Sequence, residues 1–209
     1  MKLAILDLGT NTFHLLIVTL RRDGSYEKNF RSKVVVKLGE GAIHEKFIAP
    51  VPYERGLEAM HHYSEIIKNH KVDAVYAFAT SGIRSAKNGS GFIRQVKKET
   101  GISIKIISGE KEAELICYGV RQCVSMGKEK HLIMDIGGGS TEFIIADDNQ
   151  IFWKQSFDIG ASRLLETFKP SDPITQSQVN ELEKYLSGIL KPLDAALKKF
   201  PAKALIGSS

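Results

Sequence analysis

The sequence predicts an α/β protein built from two related lobes, and three observations lead to that prediction. Residues 5–13 combine an apolar strand, an acid, a glycine and hydroxyl side chains with a second apolar strand, and residues 133–145 repeat that order. Each copy is followed by a further strand and then by helical and strand patterns in alternation. The second copy lacks the closing helix, strand and helix of the first. We therefore predict a first lobe over residues 1–126 and a second, incomplete lobe over residues 127–209.

The turn in the second copy carries a set of groups that suit a phosphate. Glycines without Cβ let backbone N–H groups approach an oxyanion closely, and hydroxyl side chains add donors. An acid at the end of a strand suits a hard cation such as Mg²⁺, bound directly or through water. A glycine-rich β-hairpin without a ligand explains one or two glycines but not the whole set. The predicted phosphate-binding residues are Gly137, Gly138, Gly139, Ser140 and Thr141, flanked by the acids Asp135 and Glu142.

The turn in the first copy repeats this chemistry in a shorter form. Asp7 ends the strand, and a glycine and two hydroxyls follow it. A single Asp-x-Gly would be weak evidence, but two copies in one chain are stronger evidence for two phosphate-binding turns that face a shared cleft. The predicted phosphate-binding residues here are Gly9, Thr10, Asn11 and Thr12, and Asp7 joins Asp135 as a candidate metal ligand.

Hydrophobic periodicity and the positions of glycine and proline predict the remaining elements. A polar loop at 80–84 follows a strand end, where α/β proteins present ligand groups. Gly207 and Ser208 resemble the start of another ligand loop, so we expect the natural protein to continue. The predicted strands are 2–8, 12–20, 33–38, 74–79, 103–107, 131–136, 141–147, 150–157 and 202–206. The predicted helices are 53–69, 91–99, 110–125, 161–168 and 175–199, the last with a kink at Pro192.

Composition limits the function classes. With 209 residues, 43% hydrophobic and 25% charged, the chain is an ordinary globular protein with room for one or two cores. No apolar run approaches the ~20 residues of a membrane span, and Met1-Lys2 leads straight into a strand, which predicts a cytoplasmic protein without a membrane partner. The net charge of +5 suits a polyanionic ligand, but no aromatic-interleaved basic motif predicts DNA binding. No Gly-x-x-x-x-Gly-Lys-Ser/Thr motif is present, which excludes the P-loop class.

Glu112 is an unusual carboxylate for a surface helix. At ~100° per residue, Glu112 falls in the same arc as Ala113 and Ile116, whereas Glu110 and Glu114 fall on the far side. A carboxylate in an apolar arc is either paired with a cation, for which Arg84 is a candidate, or kept in a water-poor site as a general base with a raised pKa. Periodicity alone leaves both alternatives open.

The motifs together resemble one known family. Asp-Leu-Gly-Thr-Asn-Thr-Phe (7–13), Ala-Thr-Ser-Gly-Ile-Arg-Ser-Ala-Lys-Asn (79–88), Ser-Gly-Glu-Lys-Glu-Ala-Glu-Leu (108–115) and Asp-Ile-Gly-Gly-Gly-Ser-Thr-Glu (135–142) occur in the order of the exopolyphosphatase/guanosine pentaphosphate phosphatase family. The segment 160–168 also resembles a later motif of that family. The resemblance implies the duplicated, ribonuclease-H-like fold of the actin-like ATPase superfamily.

The same resemblance implies an activity and roles for the candidate residues. The expected reaction is the release of terminal phosphate from polyphosphate or guanosine pentaphosphate, with Mg²⁺ or Mn²⁺. Glu112 would be the catalytic base and Arg84 the guanidinium clamp on phosphate. Asp135 and Glu142 would bind the metal or position water. Gly207 and Ser208 would form a distal substrate loop.

Two other functions stay open at this point. An ATP-dependent kinase or ATPase of the same fold would differ by an adenine site, and a non-catalytic sensor would bind guanosine tetraphosphate. The sequence chooses neither between polyphosphate and the nucleotide nor between oligomeric states, with a homodimer of the full-length protein among the alternatives.

Overall fold

The computed structural model describes residues 1–208 and divides into two compact units. The first unit is Met1–Ile107, and the second begins at Ser108. Each unit contains its own mixed β-sheet and its own hydrophobic core.

The first unit contains, in chain order, β1 (Lys2–Leu8), β2 (Thr12–Leu20), β3 (Tyr26–Val35), α1 (Pro50–His70), β4 (Ala74–Ala79), α2 (Ser81–Ser85), α3 (Gly89–Thr100) and β5 (Ile104–Ile106). The strand order in its sheet is β3-β2-β1-β4-β5. The first three strands form an antiparallel meander, and β4 runs parallel to β1.

The core of the first unit places the β1–β2 turn at the end of two well-packed strands. Alternation along β1 buries Leu6 and Leu8 and leaves Asp7 exposed, because successive side chains of a strand point to opposite faces. Tyr63 of α1 and Phe92 of α3 are fully buried in the same core, and the Tyr63 hydroxyl donates a hydrogen bond to the carbonyl of Phe13 at 2.8 Å.

The second unit contains, within the described residues, α4 (Gly109–Arg121), β6 (His131–Ile136), β7 (Thr141–Ala146), β8 (Ile151–Phe157), α5 (Ala161–Phe168), α6 (Gln176–Ile189), α7 (Lys191–Lys199) and β9 (Ala204–Ser208). The sheet order is β8-β7-β6-β9, with an antiparallel meander and a parallel fourth strand. This repeats the order β3-β2-β1-β4 of the first unit, so the predicted duplication is confirmed.

β7 is the central feature of the second unit, because every one of its residues is buried. Cys117 of α4 packs with Ile144 in one core cluster. Phe143, the preceding residue, belongs to a second cluster with Leu193 of α7. A polar side chain on β7 therefore lies in a water-poor environment.

The boundary between the units differs from the predicted one at residues 126 and 127. α4 packs on β7 and β8, and its Ala113 belongs to the core of the second unit. The division therefore precedes α4, and the helix that carries Glu112 belongs with the second sheet.

Four elements differ from their sequence predictions by more than a small shift of their ends. The third strand occupies 26–35 and not 33–38, because the amides that follow Val35 donate to the β1–β2 turn and leave the ladder. The predicted loop at 80–84 is the short helix α2. The helix predicted at 175–199 is two helices that meet at Leu190, with Pro192 in the first turn of α7, where proline is tolerated. Gly207 and Ser208 belong to β9 and not to a loop, and Ser209 of the predicted loop lies outside the described residues.

None of the helices within residues 1–208 is both long enough and apolar enough to cross a membrane.

Candidate active site

The two predicted turns share one backbone geometry. In the first unit the amide of Gly9 donates to the carbonyl of Thr12 at 3.1 Å. In the second unit the amide of Gly137 donates to the carbonyl of Ser140 at 3.0 Å. Each turn is thus closed by the same bond between its first and fourth residues, as expected for two copies of one structural unit.

The carbonyl groups of the glycine turn in the second unit are held by the start of α5. The first amides of a helix have no partner within the helix. Here the amide of Ala161 donates to Gly137 at 2.9 Å, and the amide of Ser162 donates to Gly138 at 2.9 Å. In a planar trans peptide the N–H points opposite to the C=O. The next amides in the turn therefore point away from α5.

In the first unit the segment after β3 holds the corresponding carbonyls. The amides of Val36 and Lys37 donate to Asn11 at 2.8 and 2.9 Å, and the amide of Leu38 donates to Thr10 at 2.7 Å. The amides of Asn11 and Thr12 consequently point away from this segment. Thr10 as a whole is 3% exposed, so its predicted role as a side-chain phosphate donor is not supported by its placement.

A row of polar residues crosses the second sheet beside the glycine turn. The register pairs Ser156 with Glu142, Glu142 with Asp135, and Asp135 with Ser208. Directly paired residues on adjacent strands share one face of a sheet. The row therefore gathers two carboxylates and two hydroxyls on a single face.

Glu142 is the most perturbed carboxyl group of this row. Its side chain is 1% exposed, and the Ser156 hydroxyl donates to its Oε1 at 2.6 Å. Burial and then the negative charge of Glu112 raise the pKa of Glu142 to about 7, although hydrogen bonds from Ser156 and Ser140 oppose the change. A carboxyl group that titrates near neutral pH can hold or release a proton under physiological conditions.

Glu112 lies at the margin of the buried face of α4. That face is formed by Ala113, Ile116, Cys117 and Val120, which are three and four residues apart. Glu112 is half-buried and close enough to Glu142 to affect its titration. The sequence left a raised pKa at Glu112 as one of two alternatives, and it did not single out Glu142, whose pKa is raised because β7 is covered on both faces.

Helical periodicity predicted that Glu114 faces solvent, but the structure places its carboxylate among three hydrogen-bond donors. Its carboxylate accepts hydrogen bonds from Lys111 at 2.8 Å, Tyr118 at 3.0 Å and Lys154 at 3.3 Å. These hydrogen bonds, with that of Lys111 foremost, lower the pKa of Glu114 to about 2. Glu114 therefore anchors α4 on β8, and only Glu110 of the two neighbouring acids is exposed.

The hydroxyls of Ser140 and Thr141 are buried and hydrogen-bonded within the protein. The Thr141 hydroxyl donates to the carbonyl of Ile159 at 3.2 Å, and the Ser140 hydroxyl is hydrogen-bonded to Glu142. Their predicted role as side-chain phosphate donors is therefore not supported by their placement. Gly137 and Gly138 remain partly exposed.

Arg84 lies in the last turn of α2. Its Nη1 donates to the carbonyl of Ile107 at 3.1 Å, and the side chain is partly exposed. The short helix begins directly after β4, so Arg84 follows a strand end as predicted, but on a helical turn. Pairing of Arg84 with Glu112 stays a prediction.

The corresponding row of the first unit is basic where that of the second is acidic. The register pairs Asp7 with His14 and His14 with Lys33. Burial, then the positive charges of Arg31 and Lys33, lower the pKa of His14. His14 is therefore neutral at neutral pH, while the neighbouring cations add positive potential beside Asp7.

Comparison with known proteins identifies the family. A model of the Ppx/GppA phosphatase family matches residues 17–209. The chain belongs to this family. It is 40% identical to an exopolyphosphatase from Cytophaga hutchinsonii, with a TM-score of 0.98, covering 100% of this chain and 67% of that one.

Two further solved structures agree with this membership in the Ppx/GppA family. An exopolyphosphatase-like protein is 28% identical with a TM-score of 0.87, covering 100% of this chain and 66% of that one. The Aquifex aeolicus member is 27% identical with a TM-score of 0.77, covering 99% and 65%. The chain thus spans about two thirds of the length of these relatives. The predicted α/β fold with two related lobes is confirmed.

The acids of this Ppx/GppA family member fit a lightly coordinated divalent cation. No group of three or more histidine, cysteine, aspartate or glutamate side chains within residues 1–208 forms a metal cage. Mg²⁺, however, usually binds one or two carboxylates and completes its shell with water and substrate phosphates. Asp135, which is partly exposed, supplies one such carboxylate, whereas Glu142 is almost fully enclosed.

Sequence reasoning missed two residues of the site. Ser156 holds Glu142, and pairing the predicted strands 141–147 and 150–157 as a hairpin would have placed it opposite that acid. Arg163 donates from Nε to the carbonyl of Gly139 at 2.9 Å. The sequence shows that Arg163 lies in the first turn of a helix after Gly160. Hydrophobic periodicity, however, does not relate that position to the glycine turn.

Proposed function

We propose that the chain is the part of an exopolyphosphatase-like phosphohydrolase that releases terminal phosphate from inorganic polyphosphate or guanosine pentaphosphate. The observation that carries the proposal is the glycine turn of the second unit, whose amides point away from α5 beside the Glu112–Glu142 pair. Amides fixed in this way stabilise developing negative charge without reorganisation during the reaction. The 40% identity to a Cytophaga hutchinsonii exopolyphosphatase supports the same substrate class.

Glu112 is the proposed general base. It is half-buried, so a water molecule can reach it, whereas Glu142 is almost fully enclosed and hydrogen-bonded to two serines. Glu112 accepts a proton from the attacking water, and the resulting hydroxide-like oxygen attacks the terminal phosphorus in line with the leaving phosphate. Glu142 holds the neighbouring position and limits where the Glu112 carboxylate and its water lie.

The remaining roles concern charge. Arg84 is the proposed clamp on phosphoryl oxygens, because a planar guanidinium binds two of them at once. Asp135 and Asp7 are the proposed carboxylate ligands of Mg²⁺ or Mn²⁺. When bound, the metal neutralises phosphoryl charge. The turn at Gly9–Thr12 is the proposed second phosphate contact, through the amides of Asn11 and Thr12.

The proposal is tested by measuring phosphate release from long-chain polyphosphate, guanosine pentaphosphate and ATP with purified protein and Mg²⁺. We expect release from at least one of the first two substrates at rates well above those for ATP, and loss of that release in Glu112→Gln. Preferential hydrolysis of ATP, or release that survives Glu112→Gln unchanged, would contradict the proposed substrate class or base.

A further inference from the structure

The third carbonyl of the glycine turn is held differently from the first two. Gly137 and Gly138 receive backbone amides from the start of α5. Among residues 1–208, the carbonyl of Gly139 is held by the side chain of Arg163, whose Nε donates to it at 2.9 Å. The Arg163 side chain therefore fixes the third carbonyl of the turn, whereas backbone amides of α5 fix the first two.

This contact fixes the direction of an amide. The Gly139–Ser140 peptide is trans, so its N–H points opposite to its C=O. With the Gly139 carbonyl turned toward Arg163, the Ser140 N–H turns away from it, like the other amides of the turn. Glycine permits both orientations at low cost, so the local sequence does not choose between them. Without the guanidinium, the peptide loses the hydrogen bond that fixes the direction of its carbonyl.

The side chain of Arg163 makes a close hydrogen bond to Gly139 and a loose ion pair. Its side chain is 11% exposed, and its Nη2 is buried without a hydrogen-bond partner in the described part of the chain. The carboxylate of Asp158 is 3.7 Å away and largely exposed, so the ion pair is loose. A buried guanidinium donor without an acceptor is unfavourable for folding.

We propose that Arg163 is a positioning residue that fixes the Gly139–Ser140 peptide so that the turn presents amides, and no carbonyl oxygen, to the substrate. This inference rests on the proposed phosphate-binding function of the turn. Arg163 acts through the backbone and does not itself contact the substrate.

Arg121 provides a matched control in the same unit. Its Nε also donates to a backbone carbonyl, that of Asp147, at 2.9 Å, and its Nη2 is also buried without a partner within residues 1–208. Asp147 follows the end of β7, whereas the glycine turn precedes its start. Arg121→Gln should therefore reproduce the loss of packing and of one hydrogen bond without affecting the turn.

The first measurement compares phosphate-release kinetics and tripolyphosphate binding by calorimetry. We expect Arg163→Gln to lower kcat/KM by ~10- to 100-fold and to weaken tripolyphosphate binding, whereas Arg121→Gln stays within about twofold of wild type. Arg163→Lys keeps the charge without the planar fork, so it should recover only part of the loss. Equal losses in Arg163→Gln and Arg121→Gln, or full recovery by lysine, would overturn the positioning role.

The second measurement does not depend on activity. In protein labelled with ¹⁵N-glycine and ¹⁵N-serine, the amide resonances of Gly139 and Ser140 should shift or broaden in Arg163→Gln and stay in place in Arg121→Gln. Unchanged resonances in Arg163→Gln would overturn the positioning role even if activity fell. Wild-type protein that neither releases phosphate nor binds tripolyphosphate would contradict the proposed function, while these resonances would still decide the role of Arg163.

Discussion

Replacing Glu142 by glutamine should change how the stability of the protein depends on pH. The folded protein raises the pKa of Glu142 from 4.5 to about 7, mainly through burial. Between these values the folded state binds more protons than the unfolded state, so the free energy of unfolding decreases as pH rises through this window. Glutamine has the same shape and no charge, and it removes this dependence.

The magnitude follows from the size of the pKa change. A difference of one pKa unit corresponds to about 1.4 kcal/mol, so burying the charged form of Glu142 above pH 7 costs about 3 kcal/mol relative to pH 4.5. Solvent screening is small, because the side chain is 1% exposed. The free energy of unfolding of Glu142→Gln, minus that of wild type, should therefore increase by about 3 kcal/mol from pH 4.5 to pH 8.

The assay is urea unfolding at several pH values in the presence of EDTA, so that no divalent cation affects the carboxylates. The single tryptophan, Trp153, lies in β8 beside the strand of Glu142 and reports on the unit concerned. Glu110→Gln, an exposed acid on α4, serves as the control and should show no such trend. A constant difference between Glu142→Gln and wild type from pH 5 to pH 8 would refute the argument that Glu142 is buried with a raised pKa.

The remaining predictions concern activity. Glu112→Gln should lower turnover by ~10²–10⁴-fold with substrate binding retained, and Glu110→Gln should not; comparable kcat values for both would show that another group is the base. Arg84→Lys should lower kcat/KM about tenfold or more, because lysine lacks the planar guanidinium. The matched control is Arg94→Lys, at an exposed position of α3. Gly160→Ala would place a Cβ 2.4 Å from the backbone of the glycine turn, so it should lower the unfolding free energy by about 1–3 kcal/mol in denaturation and slow phosphate release. Excess EDTA should abolish phosphate release, and Mg²⁺ or Mn²⁺ should restore it; release that persists in EDTA would exclude the metal requirement.

The sequence predicted those parts of the fold that depend on local patterns. The strands 2–8, 12–20 and 131–136 and the helix 161–168 have the predicted bounds, because apolar alternation or helical spacing ends there at glycine or a polar residue. β3 was misplaced, because Val36 follows an unbroken apolar run but donates its amide to Asn11. That choice depends on a contact with a distant residue, which periodicity does not contain.

The candidate site, like the fold, was predictable only where it depends on local sequence patterns. Both turns were predictable from the glycines that follow each strand, and the hydrogen bonds that close the two turns are alike. The raised pKa of Glu142 was not predicted, because burial on β7 depends on helices α4 and α7 packing on opposite faces of one strand. Ser140 and Thr141 looked like ligand donors, but their hydroxyls turn inward, and side-chain direction after a turn is set by strand register.

The packing around Thr10 restricts which residue the first unit tolerates at position 82. A Cβ on Gly82 would lie 3.0 Å from both the Cα and the Oγ1 of Thr10, although the two residues are far apart in sequence. Helix α2, which carries Arg84, and the turn that follows Asp7 are therefore in close contact at Gly82 and Thr10. Because one of these contacts is with the Cα, a smaller side chain at position 10 would not remove it, so a larger residue at position 82 would have to displace the backbone of the turn that follows Asp7.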